Sequence, residues 1–224
     1  MTVLNGLLKH RRKLVVAGII APFLYLSQVI ILGLLEPGFN QRTMMMSILG
    51  GVRGWRGAAF NLGLIMIALL LVLFGIGMHL AFNRGRSSRV GLILLIVACI
   101  GLVGSSYFHC DVACLNILDE PDFRGQMHMM FAFIAGLSLA FSPLAFYLSM
   151  KEEPQWKVYR RWTLIAVILS NIPGITMWIS LFTVRLPEWE GLIQRLGLFF
   201  PLIWVEVTAI KLLRIMNNDH NEAD

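Results

Sequence analysis

Six apolar runs, each about as long as a bilayer is thick, decide what this chain can fold into. They extend from Leu14 to Leu35, Ala58 to Phe82, Val90 to Phe108, Met127 to Met150, Trp162 to Val184 and Leu196 to Ile215. A hydrocarbon core about 30 Å thick takes roughly 20 helical residues to cross, and a helix satisfies all its backbone hydrogen bonds within itself. The expected fold is therefore all-α, a polytopic transmembrane six-helix bundle. Charged residues make up 14% of the 224, against about a quarter in a water-soluble domain, so a soluble fold is excluded. The chain divides into a basic N-terminus at 1–13, a transmembrane domain at 14–215 and a tail at 216–224.

The first run follows Lys9, His10, Arg11, Arg12 and Lys13, the layout of a signal-peptide n-region. It is too long for a signal peptide and no small-residue cleavage site follows, so it reads as a retained anchor. Of the 19 Lys and Arg residues, 13 lie on the side of the two termini and six on the other, namely Arg42, Arg53, Arg56, Arg124, Arg185 and Arg195. Basic residues beside span ends resist translocation, which predicts cytoplasmic termini, three outer connections and residence in the cytoplasmic (plasma) membrane. The net charge of +6 follows from that topology. No nucleic-acid-reading motif accompanies it, and no nucleic-acid partner is expected.

The outer connections run from Glu36 to Gly57, His109 to Gln126 and Arg185 to Arg195, and they hold seven of the 13 acidic residues. Loops carry function more often than the scaffold beneath them. The first contains Gly50, Gly51, Gly54 and Gly57, so it is either flexible or folded back closely on the helices. In the second, Cys110 and Cys114 stand four residues apart. On an oxidising face the favoured reading is a small disulfide loop. A metal held by both thiols would want two further ligands, and only His109 and His128 are at hand.

His109 ends span three and His128 opens span four, so an antiparallel hairpin brings both to one membrane face, with Asp111 between them. A His–Asp pair suits general acid–base chemistry, because imidazole titrates near neutrality and a carboxylate fixes its tautomer. The same three groups suit a divalent metal with open positions, and interfacial histidines also simply cap helix ends. Glu206 lies near mid-bilayer in span six. Ionisable groups at that depth are costly and face the bundle interior, which makes Glu206 a candidate acid, or a protonated hydrogen-bond partner to a neighbouring helix.

Asn61, Ser105, Ser106, Ser138, Ser142, Ser170 and Asn171 are the other polar groups within spans, most of them expected to bond between helices. In Asn171-Ile172-Pro173-Gly174, the proline frees a backbone carbonyl and the glycine softens the helix, which predicts a kink that opens space at mid-depth. Met44, Met45 and Met46 read as apolar filler rather than a copper site. No Walker loop, dinucleotide fingerprint, nucleophile elbow or HExxH motif is present.

Several short motifs resemble the membrane family catalogued as domain of unknown function 998. They are Ser47-Ile48-Leu49-Gly50 after Asn40, Phe60-Asn61-Leu62-Gly63-Leu64 opening span two, Phe108-His109-Cys110-Asp111 with Cys114, His128 opening span four, and Gly191-Leu192-Ile193-Gln194-Arg195 before the last span. The resemblance covers roughly Leu14 to Ile215. It implies a six-helix bundle whose common element is this outer-facing cluster, and it implies no reaction. The family commonly has proline where this chain has His109, so the resemblance points rather to Asp111, His128, Asn61, Arg195 and Ser47.

Three functional readings follow. The first is an enzyme acting at the outer leaflet on a lipid or isoprenoid-like substrate, with His128, Asp111, His109 and Glu206 as the chemical groups. Asn61, Ser47, Arg195, Asn171 and Arg124 would then bind the substrate. The second is a carrier or binding protein for a membrane lipid or hydrophobic small molecule, built on Glu206 and the Pro173 kink. The third is a structural subunit whose polar groups only hold helices together. The sequence identifies no cofactor and no oligomeric state.

Overall fold

The computed structural model describes residues 11–82, 85–109, 122–151, 153–182 and 186–221. Six long helices account for nearly all of them: α1 (Arg11–Leu35), α2 (Trp55–Ala81), α3 (Arg86–Tyr107), α4 (Phe123–Met150), α5 (Lys157–Phe182) and α6 (Glu190–Asn221). Each is long and apolar enough to cross a membrane. Large apolar side chains also point away from the protein, with Phe23 74% and Leu34 78% exposed. A helix that is hydrophobic all round has no water-facing side, and the chain is a multi-pass integral membrane protein. The helices extend beyond the apolar runs, and α6 continues through residues 216–221 that the sequence reads as tail.

The helices pack in chain order as a ring, each against the next, and α6 closes the ring on α1. The densest seam is α3–α4 and the sparsest is α4–α5. Small residues explain the first, since helices in lipid associate where backbones can approach. A Cβ at Gly101 of α3 would stand 2.6 Å from the Ala135 nitrogen and 2.7 Å from the Phe131 oxygen of α4. Toward the end of the bundle that carries the termini, Trp204 of α6 ties three helices to its own. Its ring meets Phe74 of α2 edge-on at 6.1 Å and stacks on Phe146 of α4 at 5.9 Å, while Nε1 donates to Thr163 Oγ1 of α5 at 3.0 Å.

At the other end, residues 36–54 fold back into the mouth of the ring, the second of the two behaviours open to a glycine-rich loop. A short 3₁₀ helix, Met46–Gly51, buries Met46, Ile48, Leu49 and Gly50. Gly54 enters α2 at φ +85°, and a Cβ at Gly57 would strike the Val52 carbonyl. Non-helical backbone at this depth must find every hydrogen bond within the protein. Arg195 of α6 supplies several: Nε donates to Gln41 Oε1 at 2.8 Å, and Nη1 donates to the carbonyls of Met44 at 2.9 Å and Gly191 at 2.6 Å. Gln41 reaches on to the Val29 carbonyl of α1 at 3.0 Å, and Leu192 N donates to the Arg42 carbonyl at 2.9 Å. Glu36 and Arg56 pin the two ends of the loop as an ion pair at 2.8 Å, close enough for attraction but not aligned as a hydrogen bond.

Two outcomes follow from this packing. Gly101→Val should cost about 1–3 kcal/mol, the usual penalty of overpacking, read as a lower Tm of the detergent-purified protein. Arg195→Lys keeps the charge but loses the forked geometry, and should raise amide hydrogen exchange across residues 39–47 while leaving α3 and α4 unchanged.

Candidate functional site

Beneath the folded loop lies a cavity of about 250 Å³. Most of its wall comes from α4 and α5, and α2, α3, α6 and the loop close the remaining sides. Two glycines account for the space. Gly136 of α4 and Gly174 of α5 both line it, and a Cβ at either would meet nothing within 4 Å. Pro173 stands beside Gly174 on the wall, so the kink motif read from the sequence does border a void. The body of the cavity is apolar, formed by Met129, Ala132, Phe133, Leu137, Met177 and Trp178 among others.

Its polar groups gather at the loop end. Ser47 and Asn61 face it from the loop and α2, Gln194 from α6, and Ser105 and His128 from α3 and α4. Asn61 Nδ2 donates to the Gly50 carbonyl at 2.8 Å, fastening the 3₁₀ helix to α2. Gln194 Oε1 accepts from Met46 N at 2.6 Å, and its Nε2 lies 3.5 Å from Ser47 Oγ. These contacts hold the side chains at the cavity edge and leave valences over, because an amide carries two donors and two lone pairs.

His128 is buried, 8% exposed. Its Nδ1 stands 2.9 Å from the Phe108 carbonyl and 3.1 Å from the Ser105 carbonyl. A ring nitrogen between two carbonyl oxygens must carry the proton, so Nε2 bears the lone pair of the neutral ring. Nε2 has no partner among the described residues. The α3–α4 hairpin creates this arrangement: the carbonyl of Ser105 in the last turn of α3 and that of Phe108 just after it, left without helical partners where a helix ends, are the ones that orient the ring.

The other predicted site residues divide into groups. Asn171 lines the cavity in mid-wall, where one amide N–H returns to the Val167 carbonyl at 2.8 Å. Arg195 lies behind the wall in the loop clasp. His109 and the exposed Arg124 are not among the lining residues and meet each other instead, with Arg124 Nη1 donating to His109 Nε2 at 3.4 Å. Glu206 is not brought to the cavity. It lies about 200° around α6 from Trp204, at 100° per residue, and is only partly buried. Asp111 and the Cys110–Cys114 pair lie outside the described residues. Cys99 in α3 is a free thiol, and among the described residues no three His, Cys, Asp or Glu side chains come together as metal ligands.

Sequence reasoning passed over Gln194, Gln41, Gly136 and Trp178. Only Gln194 had a signal, as a polar residue at the mouth of the last span beside Arg195. It also missed Gln28 of α1, 8% exposed and packed on Gly63, whose two amide atoms have no hydrogen-bond partner. Gln28 does not reach the cavity.

The chain was compared with curated proteins and with solved structures, and neither comparison found a match. Compared with known families, residues 19–211 match the one described as Protein of unknown function (DUF998). That range takes in α2 to α5, most of α1 and α6, the loop clasp and the cavity, and the chain belongs to this family.

Proposed function

We propose that the protein binds a lipid or another hydrophobic small molecule inside the membrane and presents a polar group of that ligand to His128. The observation that carries this reading is the segregated cavity: an apolar body kept open by Gly136 and Gly174, and a polar end at the loop. Small-molecule sites are mostly apolar concavities with a few placed polar groups. A packing defect would not gather most of its unused hydrogen-bonding capacity at one end.

His128 is the group suited to chemistry. Its Nδ1–H is held by two carbonyls, so Nε2 is oriented to accept a proton or a hydrogen bond from the ligand, which is the role of a general base. Catalysis of a reaction by this base is part of the proposal, with Asp111 as the carboxylate the sequence offers beside it. A proton-coupled carrier centred on Glu206 draws no support from the geometry, because that carboxylate lies away from the cavity.

The excess of Lys and Arg beside the termini supports placing the loop end, and therefore the site, at the outer leaflet. A reporter that fluoresces only in the cytoplasm, fused after Asp224, should be bright. A dark reporter with an active extracytoplasmic enzyme at the same position would reverse the orientation.

Filling the cavity tests the binding itself. Gly136→Ala should raise stability by about 0.5–1 kcal/mol, the gain of alanine over glycine within a helix, because the Cβ enters open space. Gly136→Leu should keep the fold and reduce labelling by a photoreactive fatty alcohol at least fivefold. Undiminished labelling of the α4 and α5 cavity residues in a folded Gly136→Leu protein would remove the basis for the reading.

A further inference from the structure

We infer that the ligand is an uncharged, hydroxyl-bearing lipid, with its head at the loop end of the cavity and its hydrocarbon chain leaving between α4 and α5. This rests on the cavity being a binding site and goes further, to the chemistry of the head and the path of the tail.

Charge is the first discriminator. Among the described residues no Lys, Arg, Asp or Glu lines the cavity. A phosphate or carboxylate at this depth would need a cation beside it to offset its desolvation. Arg195 is the nearest by position in the chain, and it is committed: Nε and Nη1 serve the loop, and Nη2 is sealed from any space. Arg124 is exposed, does not line the cavity and is turned to His109. An anionic head would therefore enter unpaired, whereas a neutral one meets no such penalty.

Hydrogen-bonding capacity is the second. In the wall, the Ser170 hydroxyl returns to the Ala166 carbonyl at 2.6 Å and the Ser105 hydroxyl to the Leu102 carbonyl at 3.0 Å. Among the described residues most of the free capacity sits at the loop end, where Asn61 and Gln194 each keep an amide N–H and Ser47 keeps its hydroxyl proton; away from it, Asn171 keeps one amide N–H and its Oδ1. Opposite them His128 Nε2 offers a lone pair. A head that serves both sides must accept from the amides and donate to the imidazole. A hydroxyl does both, while an ether or a quinone carbonyl only accepts.

Size and shape give the third. At about 30 Å³ per water-sized group, 250 Å³ holds on the order of eight such groups, enough for a glycerol-sized head and the first methylenes. The rest of a lipid chain must go elsewhere. Three wall residues, Phe133 at 41%, Leu137 at 45% and Ile175 at 58%, are strongly exposed although they line a cavity, as they are where a cavity opens sideways. They border the sparsest seam of the ring, which Phe133 and Trp178 bridge edge-to-face at 4.6 Å. The chain's exit into the bilayer is there.

The test is competitive photolabelling of the full-length protein in phosphatidylcholine nanodiscs, using a monoacylglycerol with a diazirine on its chain. Labelled residues are mapped by peptide mass spectrometry. Labelling concentrated at the α4–α5 seam, displaced by monoolein but not by equal mole fractions of oleate, phosphatidylglycerol or the dimethyl ether of monoolein, is the expected result. His128→Leu should weaken that displacement about tenfold, the worth of one buried hydrogen bond. If His128→Leu fails to fold, the dimethyl ether arm asks the same question of the native protein. Seam labelling displaced equally by phosphatidylglycerol, oleate or the dimethyl ether would overturn the head-group assignment and leave the cavity reading intact. Labelling no stronger at the seam than at Phe23 on the outer surface of α1 would overturn both.

Discussion

Backbone that leaves the helical conformation at membrane depth must find its hydrogen bonds inside the protein, and the rest of this structure depends on how residues 36–54 meet that requirement. The loop is non-helical for most of its length, yet Met46, Ile48, Leu49 and Gly50 are buried in the mouth of the ring. Arg195 makes this possible by reaching back from the first turns of α6 to Gln41 and to the Met44 carbonyl. Gln194, next to it, takes the Met46 amide. Without those contacts the loop would have to rise to water, and the cavity beneath it would lose its polar end. Arg195, read from the sequence as a binding residue, therefore matters to the site as the residue that holds its roof.

Glycine plays opposite parts on the two sides of α4. Where α3 meets α4, Gly101 lets the backbones touch, and a side chain there would collide with main-chain atoms. Where α4 meets α5, Gly136 and Gly174 face empty space. In lipid there is no water to drive apolar surfaces together, so helices associate by contact and by interhelical hydrogen bonds. A seam whose small residues do not meet is correspondingly loose. The ring is tight for most of its circumference and slack at one place, and that place holds the cavity.

The bundle was legible because its cause is local and repeated: six apolar runs of bilayer length each specify a helix without reference to the others. The hairpin that joins His109 to His128 at one face was legible for the same reason, since antiparallel neighbours return the chain to the same side. The facing of each helix was not legible. Glu206 illustrates it, because mid-bilayer depth follows from counting residues, whereas the side of α6 on which it falls follows from where α2, α4 and α5 pack around Trp204. Gly136 left no mark either. A glycine that closes a seam and one that opens a cavity look alike until the partner helix is in place.

That difference bears on how intramembrane polar residues are read for function. Cost alone, which singles out Glu206, ranks residues by what they lose on leaving water. A binding site is distinguished instead by what its polar groups have left over. Ser170 and Asn171 are as deep as a functional residue would be, and their hydroxyl and amide bond back to their own helix, as polar groups do when nothing else is near. His128 differs because its proton is engaged by two carbonyls at the end of a neighbouring helix while its lone pair is not engaged by any of the described residues. Fixing one nitrogen of an imidazole determines what the other can do. Under the proposed function, a ring fixed in this way at the edge of a void receives a partner that brings its own proton.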